Sequence, residues 1–322
     1  MSKLTLGTSI KVRNKITKTQ AKEIMKMYKK VSLEVKLKAE KLRQRKNVSS
    51  IVERIQLKQI ANEIDKELLL IGKQLNGTIS KNMELASKAL VNDEAKWLTK
   101  NLKFPIEGMM SNVPHTIVKN VKFGLVYEGK WSLSEAIWKN IKKNQKDIND
   151  IVAKGILQNK SAYEIAKDLE KYVDPSARKT WEWNKVYPGT ASKIDYNAQR
   201  LARTMVSHAY EQSVIETNRY NPFVEKIRWI SANTERTCEV CLARDGKLFD
   251  KDSLPLDHPN GLCTFAPEIT DDMKSISNRL ANWANGESDE EIDEYVNYLY
   301  DVPQKAKYTI KKLIIDNIYY IY

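Results

Sequence analysis

Three cysteines and one histidine gather in a single stretch, Trp229 to Pro267, and they are the residues best suited to chemistry. The spacing is Cys238-x2-Cys241, sixteen residues, His258, four residues, Cys263. Soft thiolates and an imidazole in a loop-rich segment form the ligand set of a closed tetrahedral zinc site. The C-x2-C turn can place two sulfurs on one ion because the chain reverses between them. The second pair must arrive on a loop that folds back. A catalytic zinc keeps an open position for water, whereas four protein ligands close this one, so the metal reads as structural. A disulfide between two of the cysteines is the other use of the set. These are all the cysteines in the chain, an odd number, which fits a reducing compartment better than a secreted disulfide framework.

Other reactive arrangements are missing. His208 is followed by Ala209-Tyr210 and His258 by Pro259-Asn260, so neither begins the H-x-E pattern of a zinc deaminase. No nucleophile elbow, P-loop or dinucleotide fingerprint occurs. His208 has Thr204 one turn before it and reads as a hydrogen-bonded structural histidine. Arg236 reads as an ion-pair partner of Asp245 or Glu235. A zinc-stabilised DNA-processing enzyme such as a nuclease, or an effector, is the rival, enzymatic reading.

Charge is distributed unevenly. Residues 1–60 hold 17 Lys or Arg against 4 Glu, a net of +13. The whole chain is 54 − 41 = +13, so residues 61–322 balance at 37 − 37 = 0. A basic end of this kind suits a polyanion, above all duplex DNA bound through its phosphates. Candidate contacts are Lys11, Arg13, Lys15, Lys18, Lys22, Lys26, Lys29, Lys30, Lys36, Arg43, Arg45 and Lys46. Tyr28 is the only aromatic among them, which disfavours stacking on single strands. A solvated helix face is the alternative explanation.

The elements that position these residues are mostly helical. With 42% apolar and 30% charged residues the chain can build cores. Its first residues do not resemble a signal peptide, and no apolar run reaches the length of a membrane span. Residues 1–20 read as a loosely ordered basic lead. A helix follows with Ile24, Tyr28, Val31, Val35, Ala39 and Leu42 on one face. A second, carrying Leu57, Ile60, Ile64, Leu68, Ile71 and Leu75, is expected to stop at Asn76-Gly77. A third should run from Ser80 to Leu102. Residues 106–130 read as irregular or as short helices. Capping-box patterns at Ser132–Glu135, Ser161–Glu164 and Ser288–Glu291 predict three helix starts. Residues 174–194 form the best linker, and Asp195 opens a long helix to about Tyr220. Short strands are expected at 225–229, 246–249 and 262–265, then helix after Pro267 and an Ile- and Tyr-rich docking segment at 308–322.

The expected fold is therefore mainly α (α+β), an elongated helical N-terminal region with a small zinc-stapled β-element in the C-terminal third. The divisions are a basic arm with the first helix (1–60), a helical region (61–173), the linker (174–194), a core with the zinc knot (195–270) and a helical tail (271–322).

Taken together, Leu201-Ala-Arg-Thr204, Arg228-Trp-Ile-Ser231, Thr234-Glu-Arg-Thr-Cys-Glu-Val-Cys241, Asp245-Gly-Lys247 and His258-Pro259 through Cys263 to Pro267 resemble the Mu F-like head morphogenesis family, minor head proteins of tailed bacteriophages. The resemblance covers about 195–267. Two departures stand out: Met205 follows Arg203-Thr204 where the family commonly has an acidic residue, and the closing loop carries one cysteine rather than two. The resemblance implies a non-enzymatic virion protein inside the capsid near the portal vertex, made and assembled in the host cytoplasm. Its implied partners are the portal protein and packaged double-stranded DNA, with scaffold and major capsid protein as further candidates and no membrane.

Overall fold

The computed structural model describes residues 7–44, 50–102, 110–176, 194–234 and 237–299. The expectations for Arg45, Lys46, Arg236, most of the linker and the 308–322 segment lie outside these residues. The chain divides into two compact units. One comprises residues 1–17, 80–133 and 203–322, the other 18–79 and 134–202. The described chain is mainly helical with one three-stranded antiparallel sheet in its C-terminal third, as expected.

Helix α1 runs from Gly7 to Arg43, so residues 7–20 are helical rather than loosely ordered. The reason lies in the type of residue it buries. Ile24, Tyr28, Val31, Val35 and Ala39 continue upstream as Gln20, Thr17, Arg13 and Ser9, all buried and all polar. The helical spacing persists, but hydrogen bonding replaces apolar packing, so hydropathy alone does not reveal it.

Helix α2 (Ser50–Leu102) is continuous, where two helices separated at Asn76-Gly77 were expected. Its buried stripe passes through that point: Leu68, Ile71, Leu75, Ile79, Met83, Ala86 and Leu90 are at most 3% exposed. A mid-helix glycine costs about 1 kcal/mol, less than burying even one of these large side chains contributes. The Asn76 side-chain amide donates to Ser134 Oγ at 3.0 Å instead of ending the helix.

In the unit formed by 18–79 and 134–202, helix α4 (Leu133–Leu157) packs Ile137 and Ile141 against Gly72, where an added Cβ would lie 3.4 Å from Ile141 Cγ1. Trp138 is turned outward at 44% exposure. Helix α5 (Ala162–Val173) starts at the full Ser161/Glu164 capping box. It buries Ile165, Ala166, Leu169 and Tyr172, and the Tyr172 hydroxyl donates to Asp147 at 2.9 Å.

The other unit uses residues 80–102 of α2, helix α3 (Val113–Lys122), a 3-10 turn (Leu125–Tyr127) and most of helix α6 (Tyr196–Asn218). Strand β1 (Lys226–Ile230) is the middle of the sheet, flanked by β2 (Leu248–Asp250) and β3 (Thr264–Glu268). Opposite partners are Ile227 with Phe249 on one side and Trp229 with Phe265 on the other. Helix α7 (Glu239–Arg244) sits between β1 and β2. Helix α8 (Met273–Ala284) follows the sheet, and residues 290–299 are helical again. There Asp289, not Ser288, caps the helix, accepting from Ile292 N–H. The core of this unit joins Leu90, Tyr210, Val214, Ile227, Trp229 and Phe265 to two of the cysteines, Cys241 and Cys263. No helix among the described residues is long and apolar enough to cross a membrane.

Candidate metal centre

The alternation of β1 sends Ile227 and Trp229 into the core and leaves Arg228 outside, where it forms a forked pair with Glu268 at 3.0 and 2.6 Å. Beyond β1, Ser231 N–H is fixed by Asp245 Oδ1 at 2.7 Å. Asp245 is thus engaged by the backbone after β1. Gly246, at φ +74°, makes the turn that returns two backbone hydrogen bonds to Trp229. Cys238 occupies the residue before α7 and Cys241 its first turn. The three-residue step on a helix brings both sulfurs to one side.

His258 and Cys263 lie on the loop between β2 and β3, and Asp257 organises that loop. Its carboxylate is buried; Oδ1 accepts from His258 N–H at 2.8 Å and Oδ2 from Cys263 N–H at 2.9 Å. One side chain therefore fixes the backbone of both ligand candidates. Gly261 is required for this closure, because a Cβ there would sit 1.9 Å from Asp257 Oδ2. Asn260 takes the left-handed conformation, φ 73°, that asparagine tolerates better than most residues.

Helix α6 holds the loop from below with residues three, four and eight apart, which share a face. Arg203 donates to Asn260 Oδ1 at 2.9 Å, and Thr204 Oγ1 accepts from Asn260 N–H at 2.8 Å. Ser207 donates to the Gly261 carbonyl at 3.1 Å, and Glu211 accepts from Asp257 N–H at 3.0 Å. Burial pushes Glu211 well above the usual carboxylate range. His208 Nε2 lies 3.0 Å from the Asp257 carbonyl, which can only accept, so Nε2 carries the proton. Nδ1 then accepts from the Tyr127 hydroxyl at 2.7 Å. Burial holds the imidazole below its ordinary pKa, so His208 is a neutral, fully engaged loop support. Met205, the residue noted above as departing from the common pattern after Arg203-Thr204, is fully buried.

The donor atoms of Cys238, Cys241 and His258 lie within 4.8 Å of one another, as do those of Cys241, Asp257 and Cys263. Cys241 belongs to both groups, which places the four residues named from the spacing in two adjoining triads joined at that sulfur. A tetrahedral zinc with bonds of about 2.0–2.3 Å holds its ligand atoms roughly 3.5 Å apart, so within each triad the donors would close by about 1 Å or less. His258 Nδ1 faces the Pro259 carbonyl at 3.1 Å, which leaves Nε2 as the atom for a metal. Cys241 Sγ donates to Asp257 Oδ1 at 3.4 Å. Burial pushes the thiols of Cys241 and Cys263 upward, while hydrogen bonds from the Cys241 backbone and side chain hold Cys238 down. For His258, burial alone would lower the pKa; the Pro259 carbonyl, Asp257 and Cys238 outweigh it and the net shift is upward. The donor chemistry fits a thiolate-selecting ion such as zinc, whose charge would replace the displaced protons. Asp257 was not read from the sequence as part of this centre. Its adjacency to His258 was the available signal, but an aspartate before His-Pro looks like ordinary turn chemistry.

The basic residues are placed as follows. Lys11, Lys15, Lys18, Lys22, Lys26, Lys29, Lys30, Lys36 and Arg43 are exposed on α1. Arg13 is not: it is 1% exposed, and its two terminal nitrogens donate to the Cys263 and Leu262 carbonyls, each at 2.8 Å. Its guanidinium carbon lies 4.8 Å from the centre of the Tyr210 ring. A side chain so enclosed does not face a phosphate, so Arg13 leaves the set of nucleic-acid candidates. What sequence reasoning missed is that 13 lies on the buried side of α1, four residues from Ser9 and Thr17.

No curated protein and no solved structure matches the chain. The model of one family does, over residues 146–268, and that span contains α6, the sheet and every residue of the candidate metal centre. The resemblance drawn from the Arg-Trp-x-Ser and cysteine motifs is thereby borne out over this segment, the matching model being that of the family described as Phage Mu protein F like protein.

Proposed function

We propose that this protein is a minor head protein of a tailed bacteriophage, which joins the portal during procapsid assembly and contacts packaged duplex DNA. The observation that carries this reading is the family match over the segment that folds around the cysteine cluster. The match suggests a head morphogenesis protein, and portal and scaffold contacts are the partners such a protein would need. The role is structural. Cys238, Cys241, His258 and Cys263 hold zinc as a staple, with Asp257 fixing the loop behind them.

Contact with DNA rests on α1. At 100° per residue, Lys18, Lys22, Lys26, Lys29, Lys36 and Arg43 fall within an arc of about 100°, on the side away from the buried residues. From 18 to 43 that stripe is about 37 Å long at 1.5 Å per residue, comparable to one turn of duplex. The lysines would bind phosphates without reading sequence, and binding would fall steeply with salt.

Co-expression with the portal protein of the same genome tests the assembly role; the two are expected to co-purify, and their failure to do so in any nucleotide or salt condition counts against it. Duplex binding is expected to weaken when Lys22, Lys26 and Lys29 are replaced by Gln, with the slope of log K against log salt reduced by about 2–3. An unchanged slope contradicts the DNA contact. Metal-dependent cleavage of DNA that is lost on His208→Ala would instead favour the nuclease reading, although the engagement of both His208 nitrogens speaks for support of the loop.

A further inference from the structure

The most unusual contact of the metal centre comes from the far end of the chain. Arg13 is a buried cation whose fork is filled by two successive carbonyls, Leu262 and Cys263, the second belonging to a metal-ligand candidate. Around it, the Ser9 hydroxyl lies 2.9 Å from the Tyr210 hydroxyl, and Ser9 N–H donates to Asp93 at 2.6 Å. Both contacts fasten the start of α1 beside the loop. Burying a guanidinium is expensive unless charge and hydrogen bonds compensate. Asp257 and Glu211 lend favourable charge to it, and its fork is closed by the carbonyls of the same loop whose conformation a metal held through Cys263 would fix.

We propose that Arg13 couples the metal centre to the N-terminal segment, so that zinc occupancy seats residues 7–17 and metal loss releases them together with Lys11 and Lys15. This rests on the zinc reading above. The coupling is reciprocal: whatever factor zinc adds to the seating of the segment, the seated segment adds to zinc affinity. Arg13 touches no donor atom and acts as a positioning residue through the carbonyls of the loop. Groups that support metal ligands from behind typically alter affinity by about 10–100-fold when replaced.

The test uses the full chain, purified under reducing conditions, with zinc content measured by elemental analysis. Zinc affinity is read by competition against a chelating dye for the wild type, Arg13→Lys and Arg13→Met. Hydrogen exchange is read by mass spectrometry with and without one equivalent of zinc. Expected results are a loss of about tenfold or more in zinc affinity for Arg13→Met and a smaller loss for Arg13→Lys, which keeps the charge but not the fork. Zinc removal from the wild type is expected to speed exchange in residues 7–17 while α5 (Ala162–Val173) keeps its rate. Stoichiometric zinc with unchanged exchange at 7–17 and Arg13→Met affinity within about twofold of wild type overturns the coupling and leaves the zinc reading intact. Equal acceleration in α5 overturns it too, because metal loss would then melt the chain without selecting this segment. Absence of stoichiometric zinc removes the zinc reading, and the coupling with it. The wild-type exchange measurement needs no variant, so it decides even if Arg13→Met does not fold.

Discussion

Asp257 and Gly261 form a pair in which the carboxylate of one occupies the space that a side chain on the other would need. Gly261→Ala must displace a carboxylate held by the His258 and Cys263 backbones, and is expected to cost about 2–3 kcal/mol. Urea melts of the two proteins, compared at their midpoints, check this. Glu94 allows a second expectation at the same scale. Its carboxyl is buried, accepts from Thr217 and Asn218, and is pushed up to about 8, chiefly by burial. The folded value lies above the unfolded one, so this contribution is fully present below about pH 4.5 and is lost as pH rises through 8. The steepest slope is about 1.4 kcal/mol per pH unit. Glu94→Gln, with no proton to lose, should show a flatter profile and exceed the wild type above pH 8. Equal pH dependence in both would refute the assignment.

Helices in this chain are decided by which residues they bury, and glycines show it best. Gly77 lies inside α2 with nothing within 4 Å of a built Cβ, so Gly77→Ala should stabilise by about 0.5–1 kcal/mol in thermal melts. At Gly155, the Cβ would lie 2.6 Å from Ile165 Cγ1, and Gly155→Ala should destabilise by about 1–3 kcal/mol. The same logic explains what could be read in advance. The apolar stripes of α1 from Ile24 and of α2 from Leu57, the Ser161 cap and the three strands were legible because spacing and capping chemistry are local. The continuity of α2 was not, since Asn76-Gly77 carries a local stop signal that the buried Leu75 and Ile79 on either side override. The start of α1 was hidden because Ser9, Arg13 and Thr17 hide a helical face in polar residues whose partners lie elsewhere in the sequence. At the candidate metal centre the cysteine spacing pointed to four candidate donors, but the residues that hold their loop, Thr204, Ser207, Glu211 and Asp257, needed the fold to bring α6 under it.

Across the whole molecule, the candidate metal centre places Cys241 and Cys263 in the core that unites Leu90, Tyr210, Trp229 and Phe265. On the proposed zinc staple, chelation should therefore lower the melting temperature of the chain, and Cys238→Ala and Cys263→Ala should reproduce the loss. In the presence of excess zinc the shift should grow with the logarithm of its free concentration. Scanning calorimetry with and without chelator measures it, and coincident melts in all four cases would argue that the cysteines bind no ion. The unit that contains this core draws on three stretches of chain, and the Arg13 contact spans 250 residues. A ribosome adding about 5–20 residues each second takes on the order of 10–50 s to cover that distance. For all that time the first helical turns exist without the loop they are built to meet. Their waiting face is mostly a serine, an arginine and a threonine, which water satisfies well, with Ile10 as the apolar residue beside them, so the newborn segment presents little sticky surface while its partner is still being synthesised.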